Sequence, residues 1–105
     1  MDDNNIIEIF SALSNQSRWL VIRLLIKHGD EGLSVGDIGK ALSIPPSTLN
    51  FHLDDLLEAK LIKQIKTGRI IQTYANIEPL ARVLDILRSE CCSEMENTNT
   101  NNKCQ

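Results

Sequence analysis

Two adjacent prolines, Pro45 and Pro46, interrupt a sequence that otherwise favours helices. A proline inside a helix removes a backbone hydrogen bond and clashes with the turn before it, so no helix passes through Pro45. The same ring suits the first helical position, where the missing N–H has no partner anyway. The pair therefore ends one helix and opens another. Ahead of it, "SVGDIGKAL" sets Val35, Ile38, Ala41 and Leu42 at helical spacing. Ser34 and Asp37 there resemble a capping box, with Asp in place of Glu or Gln. Behind it, Leu49, Leu53, Leu56 and Leu57 form an apolar stripe, and Ser47, Thr48, Asn50, Phe51 and His52 fall off it. A short helix, a tight turn and a second helix make a helix-turn-helix.

The flanking segments complete the domain. Ile6, Ile7, Phe10 and Leu13 recur at helical spacing, and Ser14 or Asn15 can cap a second helix over Gln16–Lys27. That second helix is apolar nearly all round, which places it at the centre. "LIKQIKTGRIIQTYANI" is rich in Ile, Thr and Tyr around a Gly turn and reads as a two-stranded hairpin, a wing behind the helix-turn-helix. Asn76 is the expected cap of a last helix with Pro79 in its first turn, and Leu80, Val83, Leu84, Leu87 and Cys91 share one face. The expected fold class is mainly α with a small β-hairpin, a winged helix-turn-helix. The first and last helices carry apolar stripes with few partners in so small a chain, so a two-fold homodimer through them is expected. The expected domains are residues 1–92 for DNA binding and dimerisation and 93–105 for a polar, flexible tail.

Charge bears on the partner. The net charge is −3, which taken alone disfavours nucleic acid. Its distribution still allows such a partner. Lys60, Lys63, Lys66 and Arg69 fall in a stretch from Ala59 to Ile77 that contains no acid. The longest apolar run, "WLVIRLLI", is too short to span a bilayer and the N-terminus is acidic, so a cytoplasmic protein with no membrane partner is expected. Cysteines in that compartment are usually free thiols or ligands. No GxSxG and no phosphate loop is present, and no enzyme activity is expected.

"ALSNQSRWLVIRLL", "STLNFHLDDLLEAKLI" and "GRIIQTYAN" resemble the ArsR/SmtB family of bacterial metal-sensing repressors, from about Ile6 to Cys92. The resemblance implies that "PPSTLNFHL" is the recognition helix. Ser47, Thr48, Asn50, Phe51 and His52 would then meet double-stranded operator DNA in the major groove. Lys63, Lys66 and Arg69 of the wing would meet phosphates, with Arg69 near a minor groove. "ANIEPLARVLDILRSECC" is similar to a branch whose last helix ends in adjacent cysteines and responds to trivalent arsenic. Two other family sites are missing: "LSVGDI" holds no thiol, and the last helix has Asp85 but no histidine.

Cys91, Cys92 and Cys104 are then the only sulfur ligands. Soft As(III), or Sb(III), matches soft thiolates. Neighbouring helical cysteines point about 100° apart, so both reach one ion only if the last turn unwinds. The tail between Cys92 and Cys104 is polar and long enough to loop back, which makes a three-thiol clamp the expected metal site. The implied function is an arsenite-responsive repressor that binds operator DNA in the apo form and leaves it on capturing the metalloid. Two alternatives stand beside it. One is a thiol redox-switch repressor, although adjacent Cα atoms about 3.8 Å apart strain a Cys91–Cys92 disulfide. The other is a protein-interaction or metallochaperone module that does not bind DNA.

Overall fold

The computed structural model describes residues 1–95, with side chains through Cys91; these form five α-helices, a short 3-10 helix (Gly29–Glu31) and a small sheet. In chain order the α-helices and strands are α1 (Asp3–Leu13), α2 (Gln16–His28), β1 (Leu33–Ser34), α3 (Val35–Leu42), α4 (Pro46–Glu58), β2 (Ile62–Thr67), β3 (Ile70–Ala75) and α5 (Glu78–Met95). The polar segment 96–105, with Cys104, lies outside the described residues. α5 continues to Met95, so it passes the domain boundary drawn after residue 92.

Local chemistry sets most of these boundaries. Asp2 caps α1 by accepting from the Asn5 N–H at 2.9 Å, and Asn15 rather than Ser14 caps α2, accepting from the Arg18 N–H at 3.1 Å. Ser34 caps α3 through the Asp37 N–H at 3.1 Å, the forward half of the expected capping box. α3 stops at Ser43, which adopts a left-handed φ of 57° and lets the Ile44 N–H donate back to the Gly39 carbonyl at 3.0 Å. Pro46 then opens α4 at its first position. Asn76 does not cap α5. That helix begins at Glu78, one residue too far along, and the Asn76 amide instead donates to the Lys60 carbonyl at 2.8 Å.

The sheet has three strands, not two. β3 lies between β2 and β1, antiparallel to both, with Ile62 opposite Ala75, Thr67 opposite Ile70 and Leu33 opposite Thr73. Gly68 takes a positive φ of 63° in the two-residue hairpin turn, which suits the right-handed twist of the strands. Gly32, with φ 67°, presses against β3 so closely that a Cβ there would lie 2.8 Å from the Thr73 carbonyl oxygen and 2.7 Å from the Tyr74 ring. Thr73 is fully buried, and its hydroxyl accepts from the Gln64 amide at 3.1 Å.

The core gathers Ile9, Val21, Ile22, Leu25, Ile38, Leu49, Leu53, Leu56, Leu61, Ile62 and Val83. α2 runs through its middle, yet it is not buried all round: Trp19, Leu20 and Ile26 are exposed. On α1 the buried positions are Ile9 and Ala12, while Ile7 and Phe10 of the expected stripe face outward. On α5 Val83 is buried and Leu84 and Leu87 are exposed. α1 and α5 thus each bury one side and leave large apolar side chains exposed on the other.

Candidate nucleic-acid interface

α4 presents its first two turns to solvent. Ser47, Thr48, Asn50 and Phe51 are all exposed, Phe51 at 65%. Pro45 makes no side-chain cap and Pro46 has no N–H, so the Ser47 and Thr48 amides are left without a helical acceptor. Such free amides at a helix N-terminus favour an anion, and here they stand beside two hydroxyls. The arrangement offers donors to phosphates and, one turn on, Asn50 to a base edge, where an amide can pair with adenine. Phe51 offers an apolar edge of the kind that meets a thymine methyl.

His52 is corrected from this set. It is 9% exposed and belongs to the inner side of α4 with Leu49, Leu53 and Leu56. The positions 49, 52, 53 and 56 are i, i+3, i+4 and i+7, so one helical face holds all four. Its Nδ1 lies 3.4 Å from NH1 of Arg18, which points the ring into the protein and away from a groove. Asp54 is the residue that takes the outward place. It is exposed, and it stands seven residues after Ser47 and four after Asn50, on the same face. The acidic half of α4 therefore does not turn wholly away from DNA. Asp55 does, being held by Arg18 at 3.0 Å.

The wing is tied to the end of α4. Lys60 adopts a left-handed φ of 63°, the Leu61 N–H donates to the Leu56 carbonyl at 2.9 Å, and the Asn76 N–H donates to the Leu61 carbonyl at 2.8 Å. Entry and exit of the hairpin are thus fastened together beneath α4. Lys63, Lys66 and Arg69 are exposed, as is Ile70 beside the turn. Strand alternation separates the two lysines, however. Lys63 shares a face with its partner Tyr74, and Lys66 shares the opposite face with Ile71. Arg69 occupies the turn itself and belongs to neither face. The three side chains therefore do not leave the wing from one face; Lys66 and Arg69 lie at the tip and Lys63 at the base.

Cys91 is exposed, a free thiol in the last stretch of α5, and Cys92 follows it in the same helix. The donor chemistry of cysteine suits a soft thiophilic ion. Among the described residues no three His, Cys, Asp or Glu side chains gather closely enough to hold a metal. None of the helices there is long and apolar enough to cross a membrane.

Residues 7–65 match a family described as a helix-turn-helix domain. Over 68 residues the chain is 40% identical to the uncharacterized HTH-type transcriptional regulator YceK of Bacillus subtilis (strain 168), covering 65% of this chain and 67% of that one. It is 32% identical over 97 residues to the uncharacterized HTH-type transcriptional regulator YbzH of the same organism, covering 80% and 96%. Among solved structures, an ArsR-like transcriptional regulator from Rhodococcus sp. RHA1 superposes over 90% of each chain with a TM-score of 0.73 and 24% identity, a likeness of fold.

Proposed function

The chain belongs to the helix-turn-helix domain family of HTH-type transcriptional regulators, and on that premise we propose that it is a homodimeric, arsenite-responsive repressor of the ArsR type. The single observation that carries this reading is the pair of adjacent cysteines near the end of α5, of which Cys91 is exposed, on a helix that also exposes Leu84 and Leu87. The thiols and the proposed dimer contact share one element.

The dimer reading rests on exposure. Ile7 and Phe10 of α1 and Leu84 and Leu87 of α5 are too large and too exposed for a small soluble domain to leave in water without cause. A two-fold contact along these helices covers them. DNA meets the outward face of α4 and the tip of the wing, one copy of each per half-site.

As(III) capture supplies soft bonding to two or three thiolates. The residues of this chain do the rest. Cys91 and Cys92 converge on one ion only when the helix end between them unwinds. Unwinding there alters the outward side of α5 and so the seat of one protomer on the other. A coupling of roughly 1–3 kcal/mol would lower DNA affinity about 5–150-fold. Cys104 is the proposed third ligand, from outside the described residues.

Arsenic X-ray absorption on the protein and on Cys104→Ser tests the ligand set. Three sulfurs falling to two supports the clamp. Three in both points to a third thiolate from elsewhere, the partner copy or a buffer thiol. Oxygen ligands alone overturn the metalloid reading and leave the redox switch.

A further inference from the structure

One guanidinium ties three helices together at the base of α4. Arg18, in the first turn of α2, donates from Nε to the Ala12 carbonyl of α1 at 2.6 Å and from NH1 to Oδ2 of Asp55 on α4 at 3.0 Å. The same NH1 lies 3.4 Å from Nδ1 of His52, also on α4. Arg18 is itself held, because its backbone N–H is the one that the Asn15 cap accepts. Its side chain is 14% exposed, against 41% for Asp55.

We propose that Arg18 is the positioning residue of the DNA-reading helix, setting the rotation of α4 about its own axis relative to the end of α1. The proposal rests on the reading of α4 as the helix that enters DNA. Three features of the packing support it. First, the stripe of Leu49, Leu53 and Leu56 holds α4 by apolar burial, which is non-directional and tolerates small rotations. Charge-assisted hydrogen bonds are short and directional, so they select one rotation. Second, Asp55 lies on one flank of α4, between the inner face that holds His52 and the outward face of Ser47, Asn50 and Asp54. A hold on the flank resists rotation where a hold on the inner stripe does not. Third, the other end of the tie is the Ala12 carbonyl in the last turn of α1, a group with no helical donor. Arg18 satisfies it and places a cation at the negative end of that helix. The orientation of α4 is thereby referred to α1.

Lysine cannot replace this. An ammonium is a compact point charge, whereas the guanidinium presents Nε and NH1 in one rigid plane to two elements at once.

The test uses the full chain, the duplex that the wild type enriches from a random library, and a random-sequence duplex of equal length. Arg18→Lys and Asp55→Asn are each expected to lose about 10–100-fold on the enriched duplex, the scale of one or two misread base pairs. Affinity for the random duplex and the slope of log K against log salt stay as in the wild type, because no phosphate contact is removed. The double variant is no worse than the weaker single one, since both break the same tie. A salt slope shallower by about one makes Arg18 a phosphate contact instead and overturns the proposal. So does an equal loss on both duplexes, or full affinity in the variants.

Amide hydrogen exchange without DNA gives an independent readout. Arg18→Lys is expected to speed exchange in α4 and the last turn of α1 and to leave β2 and β3 as they were. Uniform acceleration marks a merely structural residue and overturns the role. A wild type that enriches no duplex overturns the DNA reading itself, and the exchange pattern then reports on the tie alone.

Discussion

Leu84→Ala separates the proposed dimer from the fold of the protomer. Leu84 is 58% exposed, whereas Val83 beside it on α5 is 1% exposed. Burying a whole leucine side chain contributes about 1.5–3 kcal/mol, and the share still in water here is a little over half, so covering it contributes roughly 1–1.5 kcal/mol per copy. A two-fold interface counts each substitution twice. The expected loss is about 2–3 kcal/mol, which weakens the dimer dissociation constant some 30–150-fold. Sedimentation equilibrium over a range of concentrations measures it directly. Urea unfolding at concentrations where both proteins are monomeric is expected to change by less than about 0.5 kcal/mol, because the alanine removes no core contact. Operator affinity falls along with dimerisation, since two half-sites are then met by separate molecules. A variant whose dimer is as tight as the wild type refutes the assignment of this face.

Other outcomes follow from individual residues. Gly32→Ala is expected to destabilise the fold by about 1–3 kcal/mol or more in urea unfolding, since it adds a Cβ at a positive φ within 2.8 Å of the Thr73 carbonyl; an unchanged midpoint would show that the glycine–β3 contact relaxes freely. Asp54→Asn removes a negative charge from the outward face of α4 and is expected to raise affinity for any duplex severalfold at low salt, with the gain shrinking as salt rises. If the substitution instead weakens binding to duplexes with one particular cytosine, Asp54 reads that base through its N4 donor.

The helix-turn-helix is legible in the sequence because its punctuation is local. Asn15, Ser34 and Pro46 act on neighbours within three residues, and each marks the boundary expected of it. The hairpin is equally legible from its Gly68 turn. What escapes depends on distant partners. β1 is two residues long and exists only because Leu33 meets Thr73, some forty residues away, so no periodicity could announce it. Asn76 has the chemistry of a cap, but α5 begins only at Glu78, and the Asn76 side-chain NH2 donates to the distant Lys60 carbonyl.

The candidate site shows the same division, with two positions where the spacing already held the answer. His52 sits three residues after Leu49 and four before Leu56, so its burial is written in the helical spacing; its polar character suggested an outward place instead. Lys63 and Lys66 are an odd number of positions apart in a strand, which puts them on opposite faces. Arg18 gives no signal at all. Its partners Ala12 and Asp55 are joined only by the packing of α1, α2 and α4.

Release of DNA by arsenite is the most direct test of the proposed repressor. Wild-type protein is held on its enriched duplex, labelled for fluorescence anisotropy, and titrated with arsenite beside the Cys91→Ser, Cys92→Ser double variant. The wild type is expected to leave the duplex and the double variant to stay at every arsenite level, with equal affinity before any is added. Release of the double variant, or a wild type that leaves with peroxide and ignores arsenite, contradicts the metalloid switch.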